Sequence, residues 1–175
     1  TVYRYYERFD WKNIERLGIQ FHLALTEFTS RLTSKSDRWE IYWAAGEGAM
    51  SSKTSDLHSE TVALKSFLAL LKKKLIPLNF PGLIGFASSA GALYSFCSDF
   101  EITELSNTTT QTDYAKTKLA QEQMLISSLL DTSNVNLLVA RFSALYGPGQ
   151  STGKKQGLLS HITRCALKHQ PVEIF

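Results

Sequence analysis

The chain has no long apolar run and little excess charge of either sign. No stretch of its 175 residues approaches the roughly 18 apolar residues of a membrane span, and no signal peptide is visible. The net charge of +3 is small. The densest run of positive charge is the three lysines at 72–74, which complement the dipole at the C-terminal end of a predicted helix. We therefore expect no membrane partner, no nucleic-acid partner and, by default, a cytoplasmic location.

Cysteine and histidine are also scarce. Cys97 and Cys165 follow no motif, so we expect buried free thiols rather than a disulfide or a metal pair. The four histidines show no ligand spacing with one another or with cysteine. The sequence therefore predicts no metal site.

Strand and helix signals alternate along the chain. Apolar residues at helical spacing predict helices over 11–33, 56–75 and 157–169, and buried runs predict strands over 39–45, 83–87, 135–141 and 171–174. The second helix carries one apolar stripe, made of Leu64, Phe67, Leu68, Leu71 and Leu75. The alternation predicts an α/β fold with a parallel sheet and right-handed crossovers.

Tyr114 and Lys118 stand four residues apart at the start of another predicted helix, so their side chains share one face. A lysine ammonium favours the charged form of a nearby phenol, whose ordinary pKa is about 10. The pair would then serve as a general base for an alcohol near neutral pH. Chance matches to this spacing are common, and the alternative is an exposed tyrosine with a solvated lysine.

Three segments together resemble the extended short-chain dehydrogenase/reductases, in their NAD-dependent nucleotide-sugar epimerase/dehydratase branch. They read SSAGALY over 88–94, YAKTKLAQE over 114–122 and RFSALYGPGQ over 141–150. The resemblance runs from about Trp39 to the C-terminus. It implies an α/β fold with a Rossmann-type, doubly wound parallel sheet. This fold would be incomplete at both ends.

The glycine-rich loop that carries the cofactor pyrophosphate in such domains is missing from this sequence. The chain begins with Thr1 rather than methionine and stops where the family's substrate region would begin. We therefore expect a fragment or processed product. Residues 1–175 would be a partial NAD-binding domain, without the N-terminal glycine-rich loop and the C-terminal substrate region.

The resemblance implies roles for individual residues. Tyr114 would be the catalytic acid/base, and Lys118 would bind the nicotinamide ribose and lower the pKa of the tyrosine. Ser89, with Ser88 as second choice, would hydrogen-bond the reacting oxygen, unless these hydroxyls only form a turn. Counted from Tyr94, the usual hydroxyl position falls on Ala90. Either the turn holds one extra residue or the helper hydroxyl is absent.

The resemblance also implies NAD as cofactor and a nucleotide-sugar as substrate. Trp43, Ala44 and Ala45 match a strand end that passes over the adenosine half of the dinucleotide, although tight packing alone also explains small residues there. The choice of NAD over NADP stays open. Homodimerisation through the helices over 56–75 and 114–130 is common in the family and is neither required nor excluded by these residues.

Two departures from the family pattern bear on the reaction. Residues 90–92 hold no carboxylate pair, which disfavours dehydration. Ala144 replaces an asparagine that contacts the sugar nucleotide, where Ser143 either compensates or merely packs, and Arg141 is structural. We expect an NAD-dependent epimerase or related oxidoreductase working through a keto-sugar. The alternatives are a non-catalytic relative and an inactive fragment, and we expect the isolated chain to be inactive.

Overall fold

A computed structural model of the chain describes residues 2–34, 37–46, 48, 52–148 and 158–172. In chain order its elements are α1 (Ile14–Ser30), β1 (Trp39–Trp43), α2 (Thr54–Lys74), a 3₁₀ turn (Ile76–Leu78), β2 (Gly82–Ser89), α3 (Ala90–Leu93), α4 (Asp113–Leu129), β3 (Val135–Phe142) and α5 (Leu158–Leu167). The predicted alternation of strands and helices is confirmed.

The strands form a parallel sheet in the order β1-β2-β3, so their carboxyl ends meet at one edge. Trp39 lies opposite Gly82 in the register of β1 and β2. A Cβ atom at Gly82 would lie 2.2 Å from the Trp39 indole ring. Glycine is therefore required here, because the tryptophan ring covers the neighbouring backbone closely.

The helices α1, α2 and α4 pack side by side, and α4 also contacts β2 and β3. Sequential strands joined by right-handed crossovers place their connecting helices on the same face of a sheet. The apolar stripe predicted for α2 is confirmed, since all five of its members are at most 8 % exposed. They form the core with residues from the other layers, among them Phe21, Trp43, Phe86 and Leu125.

Two side-chain hydrogen bonds join α2 to α4. The Thr54 hydroxyl donates to Asp113 Oδ2 at 2.9 Å, at the first turn of each helix. Further along, Gln121 Nε2 donates to the Thr61 hydroxyl at 3.1 Å. The start of α4 is thereby tied to α2 as well as to its own N-cap.

Several boundaries differ from the sequence prediction. The first helix begins at Ile14 rather than at residue 11, because Asn13 caps it by accepting a hydrogen bond from Arg16 N at 3.0 Å. The strand predicted over 171–174 is absent at residues 171 and 172, and its remainder lies outside the described residues. Cys165 is buried and Cys97 is half-buried, and both are free thiols.

Among the described helices, none is both long and apolar enough to cross a membrane. Within the same residues, histidine, cysteine and acidic side chains form no cluster that could hold a metal ion.

Candidate active site

A cavity of about 420 Å³ lies at the edge of the sheet where the three strands end. This volume is within the range of small-molecule sites, roughly 300–1,000 Å³. Its wall includes most of the residues predicted from the sequence to act in the site, namely Ala44, Ala45, Ser88, Ser89, Tyr114, Lys118 and Ser143. The loops after β1 and β3, the end of β2 and the helix α4 thus converge on one space.

Tyr114 and Lys118 enter this cavity from the first two turns of α4. Thr112 caps the helix, because its hydroxyl accepts a hydrogen bond from Ala115 N at 3.1 Å. The Lys118 ammonium is 5.8 Å from the centre of the Tyr114 ring and donates to the Ala87 carbonyl at 3.1 Å. The lysine is only 8 % exposed, so it is a buried group of the site and not a solvated one.

The pKa values of this pair depart from the sequence expectation. Burial raises the pKa of Tyr114, the charge of Glu60 raises it further, and a hydrogen bond from Ser89 lowers it. Burial lowers the pKa of Lys118, against the opposing effects of Glu60 and Glu122. The spacing predicts a tyrosine whose pKa falls below its ordinary value, but burial and the Glu60 carboxylate raise the pKa more than the Ser89 hydrogen bond lowers it.

Ser88 and Ser89 are the last two residues of β2, and their hydroxyls make hydrogen bonds with different groups. The Ser89 hydroxyl accepts a hydrogen bond from Ala92 N at 3.3 Å and caps α3. Its proton stays available for the Tyr114 oxygen, whose pKa it lowers. The Ser88 hydroxyl is buried and donates to Glu122 Oε1 at 2.5 Å. The geometry therefore favours Ser89 over Ser88 as the hydroxyl that faces a reacting group.

Trp43 does not line this cavity, although Ala44 and Ala45 do. Its side chain is buried among aromatic residues, with ring centres 5.0 Å from Phe67 and 5.8 Å from Phe21. A second, larger cavity of about 940 Å³ lies on the other side of this strand end and is lined mainly by apolar and aromatic residues. Ala44 and Ala45 contact both cavities, while Trp43 contacts only the apolar one.

The loop after β3 contributes Ser143, Ala144 and Leu145 to the wall of the smaller cavity. Arg141 lies just before this loop and makes a two-point ion pair with Glu122, at 2.7 and 3.0 Å. It also donates to the Tyr94 hydroxyl. These contacts support the structural role predicted for Arg141. Residue 149, at the end of the predicted Tyr-Gly-Pro-Gly turn, lies outside the described residues.

Glu60 is a member of the site that the sequence prediction missed. It lies on α2, lines the cavity and acts electrostatically on both Tyr114 and Lys118. The sequence does contain a signal for it. Glu60 stands three residues after buried Leu57 and four before buried Leu64, so it interrupts the apolar stripe of the helix.

These residues fit the nicotinamide-ribose part of a dinucleotide. The Lys118 ammonium has three N–H donors, and the Ala87 carbonyl accepts a hydrogen bond from one of them. The others are available to hydroxyl groups in the cavity. Ala44, Ala45 and Gly46 present little side chain, which allows a ligand to approach the backbone. Open parallel α/β sheets bind their ligands outside the carboxyl ends of their strands, which is where this polar cavity lies.

Residues 40–175 match the sequence model of the NAD dependent epimerase/dehydratase family. Because this match extends over most of the chain, the protein belongs to that family, whose cofactor is NAD as predicted. A comparison with curated protein sequences gives no significant match.

Solved structures with the same fold include two epimerases and a third protein solved with a related dinucleotide. UDP-glucose 4-epimerase of Thermus thermophilus, solved with NAD, has a TM-score of 0.71 at 19% identity, with 93% of this chain and 48% of that chain covered. UDP-glucose 4-epimerase of Thermotoga maritima, solved with UDP-glucose, has a TM-score of 0.66 at 17% identity, with 88% and 48% covered. RMD of Pseudomonas aeruginosa, solved with NADPH, has a TM-score of 0.65 at 21% identity, with 93% and 51% covered.

These likenesses show the Rossmann-type fold, and the predicted fold class is thereby confirmed. The chain spans about half the length of these neighbours. The activity of the whole protein is therefore a matter for proposal.

Proposed function

We propose that the protein is an NAD-dependent nucleotide-sugar epimerase, or a closely related oxidoreductase, in which Tyr114 is the acid/base. We further propose that the present chain is the later part of an NAD-binding domain. The observation that carries the proposal is the convergence of Tyr114, Lys118 and Ser89 on one cavity at the strand ends. Separate sequence segments supply the serine and the Tyr/Lys pair, so their meeting is not a consequence of local spacing.

In this proposal Lys118 would hold the nicotinamide ribose of NAD, and the bound cofactor would supply the hydride chemistry at the sugar carbon. Tyr114 takes the proton of the sugar hydroxyl as the carbonyl of a keto-sugar forms, and gives it back when the keto group is reduced. Ser89 holds the reacting oxygen beside the phenol through its hydroxyl proton. Lys118 places a positive charge near the phenol and binds hydroxyl groups of the ribose, so that both reactants keep their orientation.

The nature of the substrate is inferred from the family and from two structural neighbours. The Thermotoga maritima and Thermus thermophilus neighbours are both UDP-glucose 4-epimerases. The absence of carboxylates at residues 90–92 favours epimerisation or simple oxidation and reduction over dehydration. We propose a nucleotide diphosphate sugar as substrate, a homodimer through the outer faces of α2 and α4, and a cytoplasmic location.

A non-catalytic dinucleotide-binding relative is the second candidate. The raised pKa of Tyr114 favours it, because a neutral phenol is a poor base near neutral pH. Ala144, in place of the residue expected to contact the sugar nucleotide, points the same way. An inactive fragment is the third candidate.

Replacement of Tyr114 by Phe separates these candidates. In the complete protein to which this chain would belong, we expect Tyr114→Phe to lower epimerisation of UDP-glucose by about 10²–10⁴-fold, measured by proton NMR with added NAD, because the acid/base hydroxyl is lost. Dinucleotide affinity should change little. Tyr42→Phe is the control, since that exposed tyrosine contacts Glu40 on β1 and does not line the cavity.

Equal turnover in the Tyr114→Phe variant and the unaltered protein would contradict the acid/base role. If the unaltered protein binds NAD but turns over no sugar nucleotide, the non-catalytic candidate is favoured. An unaltered protein that neither binds NAD nor turns over substrate supports the inactive-fragment candidate.

A further inference from the structure

The Lys118 ammonium lies over the face of a core phenylalanine. Its nitrogen is 5.1 Å from the centre of the Phe86 ring, within the roughly 6 Å limit of a cation–π contact. The same nitrogen lies over the Tyr114 ring and donates a hydrogen bond to the Ala87 carbonyl. Two aromatic rings and one carbonyl oxygen therefore surround a positive charge that has little contact with water.

The fold fixes the position of the Phe86 ring. Phe86 lies on the middle strand, opposite Trp43 on β1 and Val139 on β3. Its side chain is only 1 % exposed and belongs to the hydrophobic core. Because side chains alternate along a strand, Phe86 shares a face of the sheet with Ser88, which is hydrogen-bonded to Glu122 on α4. The ring is therefore held on the side of the sheet that α4 covers.

The ionisable groups near Lys118 compensate its burial only in part. Burial lowers the pKa of Lys118, and the charges of Glu60 on α2 and Glu122 on its own helix raise it by less. Tyr114, the other ionisable neighbour, has a pKa that burial raises, so its phenol is neutral near neutral pH. Among the described residues, Lys118 takes part in no ion pair. An aromatic face favours the charged form of an ammonium, and this effect is largest where water is excluded.

We propose that Phe86 is a positioning residue, whose ring face holds the Lys118 ammonium in its charged form at the wall of the cavity. Its neighbour Ala87 supplies the hydrogen-bond acceptor for the same ammonium, and Ser89 on the same strand supplies the hydroxyl beside Tyr114. The end of β2 then determines both the positive charge and the hydroxyl of the site. This catalytic meaning rests on the function proposed above, but the state of the lysine is measurable without cofactor or substrate.

Graded fluorination of Phe86 tests this role, because each fluorine withdraws negative charge from the ring face and changes the ring's shape little. Proteins with phenylalanine carrying no, one, two or three ring fluorines at position 86 are titrated through the ¹³Cε NMR signal of Lys118. That signal is assigned by its loss in Lys118→Met. We expect the pKa of Lys118 to fall with each added fluorine, by about half a pH unit in total, the size expected of a buried cation–π contact.

The same series at Phe67 is the matched control, since that core ring contacts the rings of Phe21 and Trp43. Fluorination there should leave the pKa of Lys118 unchanged. An equal fall in both series, or no fall in the Phe86 series, would overturn the proposal. An unchanged pKa of Lys118 in a folded Phe86→Leu protein would overturn it as well.

The outcome is separable from that of the proposed function. A stepwise fall in the Phe86 series supports the role of this ring whether or not the protein is an enzyme. If the complete protein then turns over no sugar nucleotide, the proposed function is contradicted and the role of Phe86 in holding the ammonium stands.

Discussion

Two polar clusters lie on either side of the end of β2, and each cluster contains one of the two adjacent serines. The buried cluster consists of Ser88, Tyr94, Glu122 and Arg141, and the cavity cluster consists of Glu60, Ser89, Tyr114 and Lys118. In the buried cluster, Glu122 receives three hydrogen bonds and the opposite charge of Arg141. In the cavity cluster, burial displaces the pKa values of Tyr114 and Lys118 away from their charged forms.

The difference shows how the same residue types behave when they are paired with one another and when they face an open cavity. A carboxylate that faces a guanidinium and a hydroxyl is satisfied, and the pKa of Arg141 is raised because the charged form is strongly held. Groups that face a cavity keep hydrogen-bonding capacity for a ligand and have perturbed proton affinities, as functional sites commonly do. Substitutions in the two clusters should therefore have opposite consequences.

The largest effect on stability should come from Glu122→Ala. Removing this carboxylate leaves Arg141 without its ion-pair partner and Ser88 without its acceptor, so we expect a loss of about 3 kcal/mol in the free energy of unfolding. Urea denaturation followed by circular dichroism measures it. A loss below about 1 kcal/mol would mean that the buried cluster is not the structural element described here.

Paired substitutions of the two serines sharpen the comparison. Ser88→Ala should cost about 1–2 kcal/mol, because it removes a buried hydrogen bond to a charged group. Ser89→Ala should cost about 0.5 kcal/mol, because it removes only the cap of a one-turn helix. Turnover should respond in the reverse order, with Ser89→Ala the slower enzyme. The free energy of unfolding and the turnover rate are measured for both variants. If the variant that loses more stability also loses more activity, the distinction between the two clusters is wrong.

Lys118→Met should stabilise the protein by about 1 kcal/mol near neutral pH while weakening dinucleotide binding, because functional groups are often held at the expense of stability. Burial lowers the pKa of Lys118 in the folded state. The folded state therefore holds this proton less tightly than the unfolded state. Lys118 therefore lowers the free energy of unfolding by its full amount at any pH below its pKa in the folded protein. This destabilisation disappears as the pH rises past the pKa of lysine in the unfolded chain, about 10.4. Thermal melts of both proteins at pH 7 and pH 10 measure the difference, which should shrink at pH 10; a difference independent of pH would contradict this cause.

The fold was accessible from the sequence because apolar periodicity reports burial directly. The stripe of α2 and the three apolar strands required no knowledge of contacts beyond their own elements. The caps were less accessible: α2 begins at Thr54 after Lys53, which makes no side-chain cap. The one-turn helix α3 was not predicted, because its four residues are too few to show a period.

The site was predicted in part for the same reason. Tyr114 and Lys118 share one helix, so their spacing determined that they face the same way. The pKa direction of Tyr114 was not accessible, because it depends on Glu60, 54 positions earlier by subtraction (114 − 60), and on burial. Trp43 was grouped with the alanines that follow it, but alternation along β1 turns its side chain into the aromatic core.

The two hydrogen bonds between α2 and α4 have a consequence for how the site can respond to different ligands. Thr61, which follows Glu60, is bonded to Gln121, and Asp113, which precedes Tyr114, is bonded to Thr54. The Glu60 carboxylate and the Tyr114 phenol thus lie on two helices that are joined by residues outside the cavity wall. Any adjustment to ligands of different shape therefore falls to other residues of the cavity wall, among them Ala45, Ser143 and Ala144.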